Sequence, residues 1–254
     1  MPTVLVPIPT ADFDPTETAV PWKVLRARGI GVVFATPDGK PGNADARMLT
    51  GRGLGVLAPV LKADANGRQA YAEMATSAEF LHPLTYAQAR VADLQGLLLP
   101  GGHAPGMKPY LESALLQSLV TTAFATQLPV GAICHGVVLA ARSRAADGRS
   151  VLFGRKTTAL TRPMELTAWA LTRAWLGDYY RTYPTTVEEE VSAALATPED
   201  FVRGPTSTRR DSAGRLEIGF TVRDGHYLSA RWPGDAHRFA VEFAAMVSAG
   251  ADRP

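Results

Sequence analysis

Short apolar runs alternate with amphipathic stretches along the first half of this chain. "TVLVPIP" (Thr3 to Pro9) is a continuous apolar run of the kind a strand buried on both faces requires. From about Thr18 to Arg28 the period changes to helical, with Val20, Val24 and Ala27 on one face and Lys23 and Arg26 elsewhere. Gly29 suits the C-terminal cap. "IGVVFATPDG" (Ile30 to Gly39) reads as a second strand closed by the turn residues Pro37, Asp38 and Gly39. "GLLLPGG" (Gly96 to Gly102) predicts a third strand and "PVGAI" (Pro129 to Ile133) a fourth. Between them lies a helix, Leu111 to Gln127, with Leu115, Leu119 and Ala123 on one side.

"KTTALT" (Lys156 to Thr161) predicts a fifth strand. Residues 164 to 196 read as helical and aromatic, and the clustered rings from Trp169 to Tyr183 have the helical spacing of packing residues, with a lid or a dimer face as the alternatives. Two β-like runs flank Asp224-Gly225, a strong hairpin signal. Asp235 to Gly250 forms a closing helix with Phe239, Phe243 and Met246 on one side. Strands alternating with helices predict an α/β sandwich whose mostly parallel sheet carries helices on both faces. No linker divides the chain, so a single domain over residues 1–254 is expected. Insertions at about residues 40–90 and 164–203 are expected to elaborate it.

Composition narrows the partners. Twenty-six Lys and Arg against 24 Asp and Glu leave a formal charge of +2, and the basic residues are scattered. A nucleic-acid surface needs them clustered, so none is expected. No apolar run approaches the ~18 residues of a membrane span. The start, "MPTVLVPIPT", lacks the basic region and cleavage signal of a leader. A single cysteine forms no intramolecular disulfide, which suits a reducing cytoplasm.

That cysteine, Cys134, is the main chemical signal. In "VGAICHGVV" it falls just past the end of the fourth strand, where a helix begins. Active groups of open α/β sheets gather at the carboxyl ends of strands. A strand-turn-helix elbow holds the side chain out, and the helix N–H groups favour thiolate and can bind an oxyanion. Gly136 keeps the turn thin, and His135 is a candidate base. Glu17 also lies near a strand's carboxyl end, as a proton-sharing partner of the thiol or as a first-turn acid serving the helix dipole. Pro21 places the start of that helix close to Glu17. In "PGGHAPGM", Gly101 and Gly102 let backbone N–H groups approach a ligand. His103, Cys134 and His135 lack a familiar ligand spacing, so neither metal nor cofactor is expected.

In order along residues 17 to 236, "ETAVP", "FATPDGKP", "LLLPGGHAPG", "AICHG" and "SARWPGDA" resemble the ThiJ/PfpI superfamily, whose fold is that of class I glutamine amidotransferases. The resemblance implies a flavodoxin-like three-layer sandwich with a nucleophile elbow. It implies Cys134 as nucleophile, Glu17 as carboxyl partner and His135 as adjacent histidine. The oxyanion and substrate-binding groups it suggests lie around Gly101, Gly102, His103 and Gly136. The 40–90 insertion is similar to the larger chaperone and glyoxalase branch. There an acid orients the histidine, and Glu165 in "TRPMELT" is the nearest candidate. The late His-x-Glu pair of glutamine amidotransferases is missing from "DGHYL" and "DAHRF", which argues against that activity. The superfamily commonly dimerises, so a homodimer is the implied assembly.

The expected function is a cysteine-dependent enzyme acting on a small carbonyl or amide compound, as hydrolase, hydratase or glyoxalase. The alternative is a stress-response chaperone or redox sensor in which Cys134 is oxidised.

Overall fold

The computed structural model describes residues 2–251. Nine strands are present among them: β1 (Thr3–Pro7), β2 (Ala11–Phe13), β3 (Gly31–Thr36), β4 (Asn43–Ala44), β5 (Leu84–Thr85), β6 (Gly96–Leu99), β7 (Val130–Ile133), β8 (Thr221–Asp224) and β9 (Tyr227–Ala230). Seven of them form the central sheet in the order β5-β3-β1-β6-β7-β9-β8, while β2 and β4 pair separately. Every neighbour in the central sheet is parallel except β8 and β9. The longer helices are α1 (Pro15–Ala27), α2 (Ala65–Met74), α3 (Ala114–Ala125), α4 (Gly136–Arg142), α5 (Arg162–Leu176), α6 (Val187–Ala193) and α7 (Ala236–Ala251). The result is the flavodoxin-like α/β arrangement, a mostly parallel sheet flanked by helices.

The apolar runs are continuous because both faces of the sheet are covered. All four residues of β6 are buried, as are all four of β7. On one face α7 lays Phe239 and Phe243 over Gly131, where an added Cβ would come within 2.9 Å of each ring. That close approach explains a glycine inside a central strand.

Three local expectations shift. α1 begins at Pro15 because Asp14 caps it, accepting from the N–H groups of Thr16 (2.7 Å) and Glu17 (2.9 Å). Pro21 therefore lies well inside the helix, and Ala27 is exposed. α3 turns Leu116, Val120, Ala123 and Phe124 inward and leaves Leu115 57% exposed. Lys156–Thr161 is not a sheet strand. The place beside β7 is taken by β9, and Thr158 N–H donates instead to Ser229 Oγ at 2.9 Å. Ser229 on β9 thus holds the segment at the sheet's rim without extending the ladder.

Residues 40–90 and 164–203 meet each other beyond the carboxyl ends of the strands. Met48, Leu54 and Tyr180 form a small second core with Leu61, Trp169 and Leu176 packed against it. Trp175 Nε1 donates to Gly53 O at 2.8 Å, and the Tyr179 hydroxyl donates to Asp45 Oδ2. The aromatic stretch is thus a packing surface joining the two insertions, and its Tyr180 reaches the cavity described next.

Candidate active site

The chain runs from β1 outward to β3 and β5, then crosses back to β6 on the other side of β1. That reversal is the topological switch point, where open α/β sheets bind their ligands. Glu17 follows β1, the Gly101-Gly102-His103 turn follows β6, and Cys134 follows β7, all at the carboxyl ends.

Cys134 has φ of +56°, a left-handed backbone that is uncommon outside glycine. Its N–H still donates to Ala230 O at 3.0 Å, so the sheet ladder runs right up to the turn. Two residues on, Gly136 faces β6 so closely that a Cβ would sit 2.1 Å from Leu99 O. Gly136 is therefore the residue that lets the elbow seat against the sheet, and it lies behind the cavity.

Glu17 is fully buried, and its Oε2 accepts the Gly101 N–H at 2.9 Å. That bond occupies the Gly101 donor, so Gly101 positions the carboxyl and has no N–H left for an oxyanion. Oε1 of Glu17 is buried without a hydrogen-bond partner among the described residues. Burial pushes the Glu17 carboxyl well above the usual carboxylate range, and neighbouring Asp14 pushes it further. Burial and the Glu17 charge push the Cys134 thiol up in turn. The expected exposed, dipole-activated thiolate is not what the fold builds: Cys134 is only 5% exposed. Instead burial favours the protonated form of both the thiol and the carboxyl, and the charge of Glu17 raises the thiol further.

His135 is buried, with Nδ1 3.5 Å from Cys134 Sγ and Nε2 3.1 Å from Thr182 Oγ1. The single Thr182 hydroxyl proton goes to His103 O at 2.6 Å. Thr182 Oγ1 therefore accepts from Nε2–H, which leaves Nδ1 unprotonated and facing the sulfur. Burial lowers the His135 pKa to about 3, helped by His103 and Arg142, so the ring stays neutral. Glu165 does not reach His135. Its Oε2 accepts from Val187 N–H at 2.9 Å and its Oε1 lies 3.3 Å from Arg181 Nε. The orienting group is thus Thr182, which no sequence signal singled out.

Glu17, Gly102, His103, Cys134 and Glu165 line a cavity of about 470 Å³, whereas His135, Gly101 and Gly136 stand behind its wall. The apolar side comes from α5, through Met164, Ala168 and Leu171. The segment Arg203–Arg210 and Trp232 form another side. His103 stacks on Tyr180 with ring centres 4.3 Å apart. No group of three or more His, Cys, Asp or Glu among the described residues could hold a metal ion. No helix among them is long and apolar enough to cross a membrane.

The ThiJ/PfpI-like family model matches residues 8–205. An uncharacterized protein of Schizosaccharomyces pombe is 30% identical over 115 residues, 44% of this chain and 42% of its own length. Protein DJ-1 homolog D of Arabidopsis thaliana is 29% identical over 134 residues, 52% of this chain and 30% of its own. These matches thus span less than half the length of either relative. The crystal structure of glyoxalase III from Candida albicans superposes with a TM-score of 0.66 at 19% identity, covering 98% of this chain and 97% of that one. At that identity the likeness is one of fold.

Proposed function

Because the chain belongs to the ThiJ/PfpI-like family, we propose that it is a cysteine-dependent enzyme converting 2-oxoaldehydes to 2-hydroxy acids, with Cys134 as nucleophile. The observation that carries this reading is a buried, proton-holding Glu17 lining one cavity with Cys134, its Oε1 without a hydrogen-bond partner among the described residues. The fold shared with glyoxalase III supports the reaction class.

The chemistry needs one mobile proton beside a nucleophile. With the proton on Glu17, the Cys134 sulfur adds to the aldehyde carbon, and Glu17 protonates the new alkoxide to give a hemithioacetal. The resulting carboxylate takes the hydrogen of that carbon as a proton and returns it to the adjacent carbon through an enediol. The former aldehyde carbon is oxidised by two electrons and its neighbour reduced by two, so no external oxidant enters. The product is a 2-hydroxy thioester, which water cleaves to the acid and the free thiol. His135, held neutral by burial, is too weak a base for the carbon proton. Its Nδ1, 3.5 Å from Sγ, instead accepts the S–H of the resting thiol and so orients the sulfur before the proton moves.

Methylglyoxal tests this directly. Lactate should form without added thiol, and Cys134→Ala should lower the rate by at least about 1000-fold, leaving only binding and residual electrostatics. Absence of lactate from methylglyoxal and phenylglyoxal, or an unaffected Cys134→Ala enzyme, overturns the reading. Ready oxidation of Cys134 to the sulfinic acid in an inactive wild type would favour the redox-sensor alternative.

A further inference from the structure

Five buried polar atoms without a hydrogen-bond partner among the described residues belong to residues lining this one cavity: Glu17 Oε1, His103 Nε2, Tyr180 Oη, Arg210 Nη1 and Trp232 Nε1. Buried polar groups are normally satisfied, so unsatisfied ones converging on a cleft mark a place where a ligand completes the bonding. Arg210 and Trp232 contribute two N–H donors that find no acceptor among the described residues. The Arg210 guanidinium lies over the Trp232 ring, 5.1 Å from its centre. The ring itself is seated on Gly234, where an added Cβ would come within 2.3 Å of it.

The placement of Arg210 is fixed from behind. Its Nη2 donates to Lys62 O at 3.3 Å and to Val60 O at 3.5 Å, both in the 40–90 insertion. No carboxylate lies within ion-pair distance of it among the described residues, although Asp14 and Glu17 both feel its charge. Asp14 Oδ1 is already engaged with the first N–H groups of α1. A guanidinium whose Nη1 is buried and unpartnered, stacked on an indole whose own N–H is unpartnered among the described residues, offers two donors to a carboxylate.

We propose that Arg210 and Trp232 form an anion subsite of the Cys134 cavity, and that the substrate is a carbonyl compound carrying a carboxylate as well as the reacting aldehyde. This deepens the reading given under Proposed function and rests on it for the reaction, but not for the binding. A cavity of about 470 Å³ has room for a chain between the two groups, laid along Met164 and Leu171. Methylglyoxal would fill only one end of it.

Calorimetric binding of 4-oxopentanoate and of its methyl ester tests the subsite with ligands that do not turn over. The acid should bind at least tenfold more tightly than the ester, since a hydrogen-bonded charge is worth about 10- to 100-fold in affinity. Arg210→Met should bring the acid to the ester's affinity, and Arg210→Lys should keep part of the difference. Equal binding of acid and ester by the wild-type protein overturns the proposal, and that comparison needs no variant to fold. So does a folded Arg210→Met protein that keeps the preference. If the acid is preferred but no 2-oxoaldehyde is converted, the subsite stands and the proposed reaction falls. If 4,5-dioxopentanoate is converted with the acid preference in place, both stand.

Discussion

Thr182 holds His135 in one tautomer: its oxygen accepts the Nε2–H at 3.1 Å because its own proton is committed to the His103 carbonyl at 2.6 Å. The side chain that fixes the histidine is thus neutral, and among the described residues no carboxylate pairs with the histidine ring to stabilise a positive charge. This separates the site from Cys-His arrangements in which an acid raises the histidine's basicity.

Replacing Thr182 by Val leaves the Nε2–H buried without a partner, at a cost of about 1–3 kcal/mol. The ring is then free to turn or to exchange tautomers. We expect kcat on a 2-oxoaldehyde to fall about 10- to 100-fold with KM little changed, and Thr182→Ser to restore most of it. Nitrogen-15 shifts of His135 in the wild type should report the Nε2–H form down to about pH 4, given a pKa lowered to about 3. An imidazolium signal at pH 6 would contradict this assignment.

Gly101 holds Glu17 from behind the cavity wall through its N–H. A Cβ there would lie 2.7 Å from Glu17 Oε2 and 2.8 Å from His135 N. Gly101→Ala should push the carboxyl away from the sulfur while the apolar core behind it remains intact. Activity should fall by about 100-fold or more, as expected when a reacting group moves by an ångström. The melting temperature should fall only modestly. The rate of Cys134 alkylation by iodoacetamide should change with it, because the thiol's proton partner has moved.

Much of this was legible in the residues. β1, β6 and β7 announced themselves as apolar runs, and the hairpin of β8 and β9 by its Asp-Gly turn. Cys134 was marked by its place between a strand and a helix. What the text did not reveal depends on contacts between distant segments. Thr182 meets His135 across 47 residues, and Arg210 meets Lys62 across 148. A threonine in "YYRTY" and an arginine in "STRRD" carry no local signal of either role. Lys156–Thr161 failed as a strand for a related reason: propensity suited it, but β9 had already filled the edge beside β7. Asp14 was the one missed residue with a readable signal, standing immediately before the proline that opens α1.

Stability should depend on pH through Asp211. Its carboxyl caps α7 from outside, accepting from Arg238 N–H at 2.8 Å and His237 N–H at 3.2 Å. Burial raises its pKa from 3.8 to about 7. A raised carboxyl holds its proton more tightly folded than unfolded, so its contribution is complete below about pH 4 and disappears as pH rises through 7. Within that window a single such group changes stability by up to about 1.4 kcal/mol per pH unit. Asp211→Asn, which keeps an acceptor oxygen, should show a shallower fall in denaturation midpoint between pH 4.5 and 7.5. Some slope will remain, since burial also raises Asp14 to about 6 and Glu165 to about 7.

The "SARWPGDA" segment offered no chemistry in the sequence, and the fold gives it a mechanical one. Arg231 and Asp235 are both buried and joined by two bonds, Nε to Oδ2 at 2.9 Å and Nη2 to Oδ1 at 2.8 Å. Arg231 Nη1 also donates to Pro205 O, and Asp235 Oδ1 accepts the Phe220 N–H at 2.9 Å. The pair therefore ties three segments together around Trp232, which lies between its members and lines the cavity. Removing one partner leaves the other as an uncompensated buried charge, a cost of about 3–5 kcal/mol. Arg231→Met should lose about that much by chemical denaturation. The double variant Arg231→Met, Asp235→Leu should recover only part of it, because the Phe220 N–H and the Pro205 carbonyl would still lack partners. Full recovery in the double variant would mean that those backbone groups find water, and that the pair contributes charge compensation alone. In the partial case, the Arg231→Met protein that remains folded should also discriminate poorly between a carboxylate ligand and its ester, since the indole that backs Arg210 has lost its support.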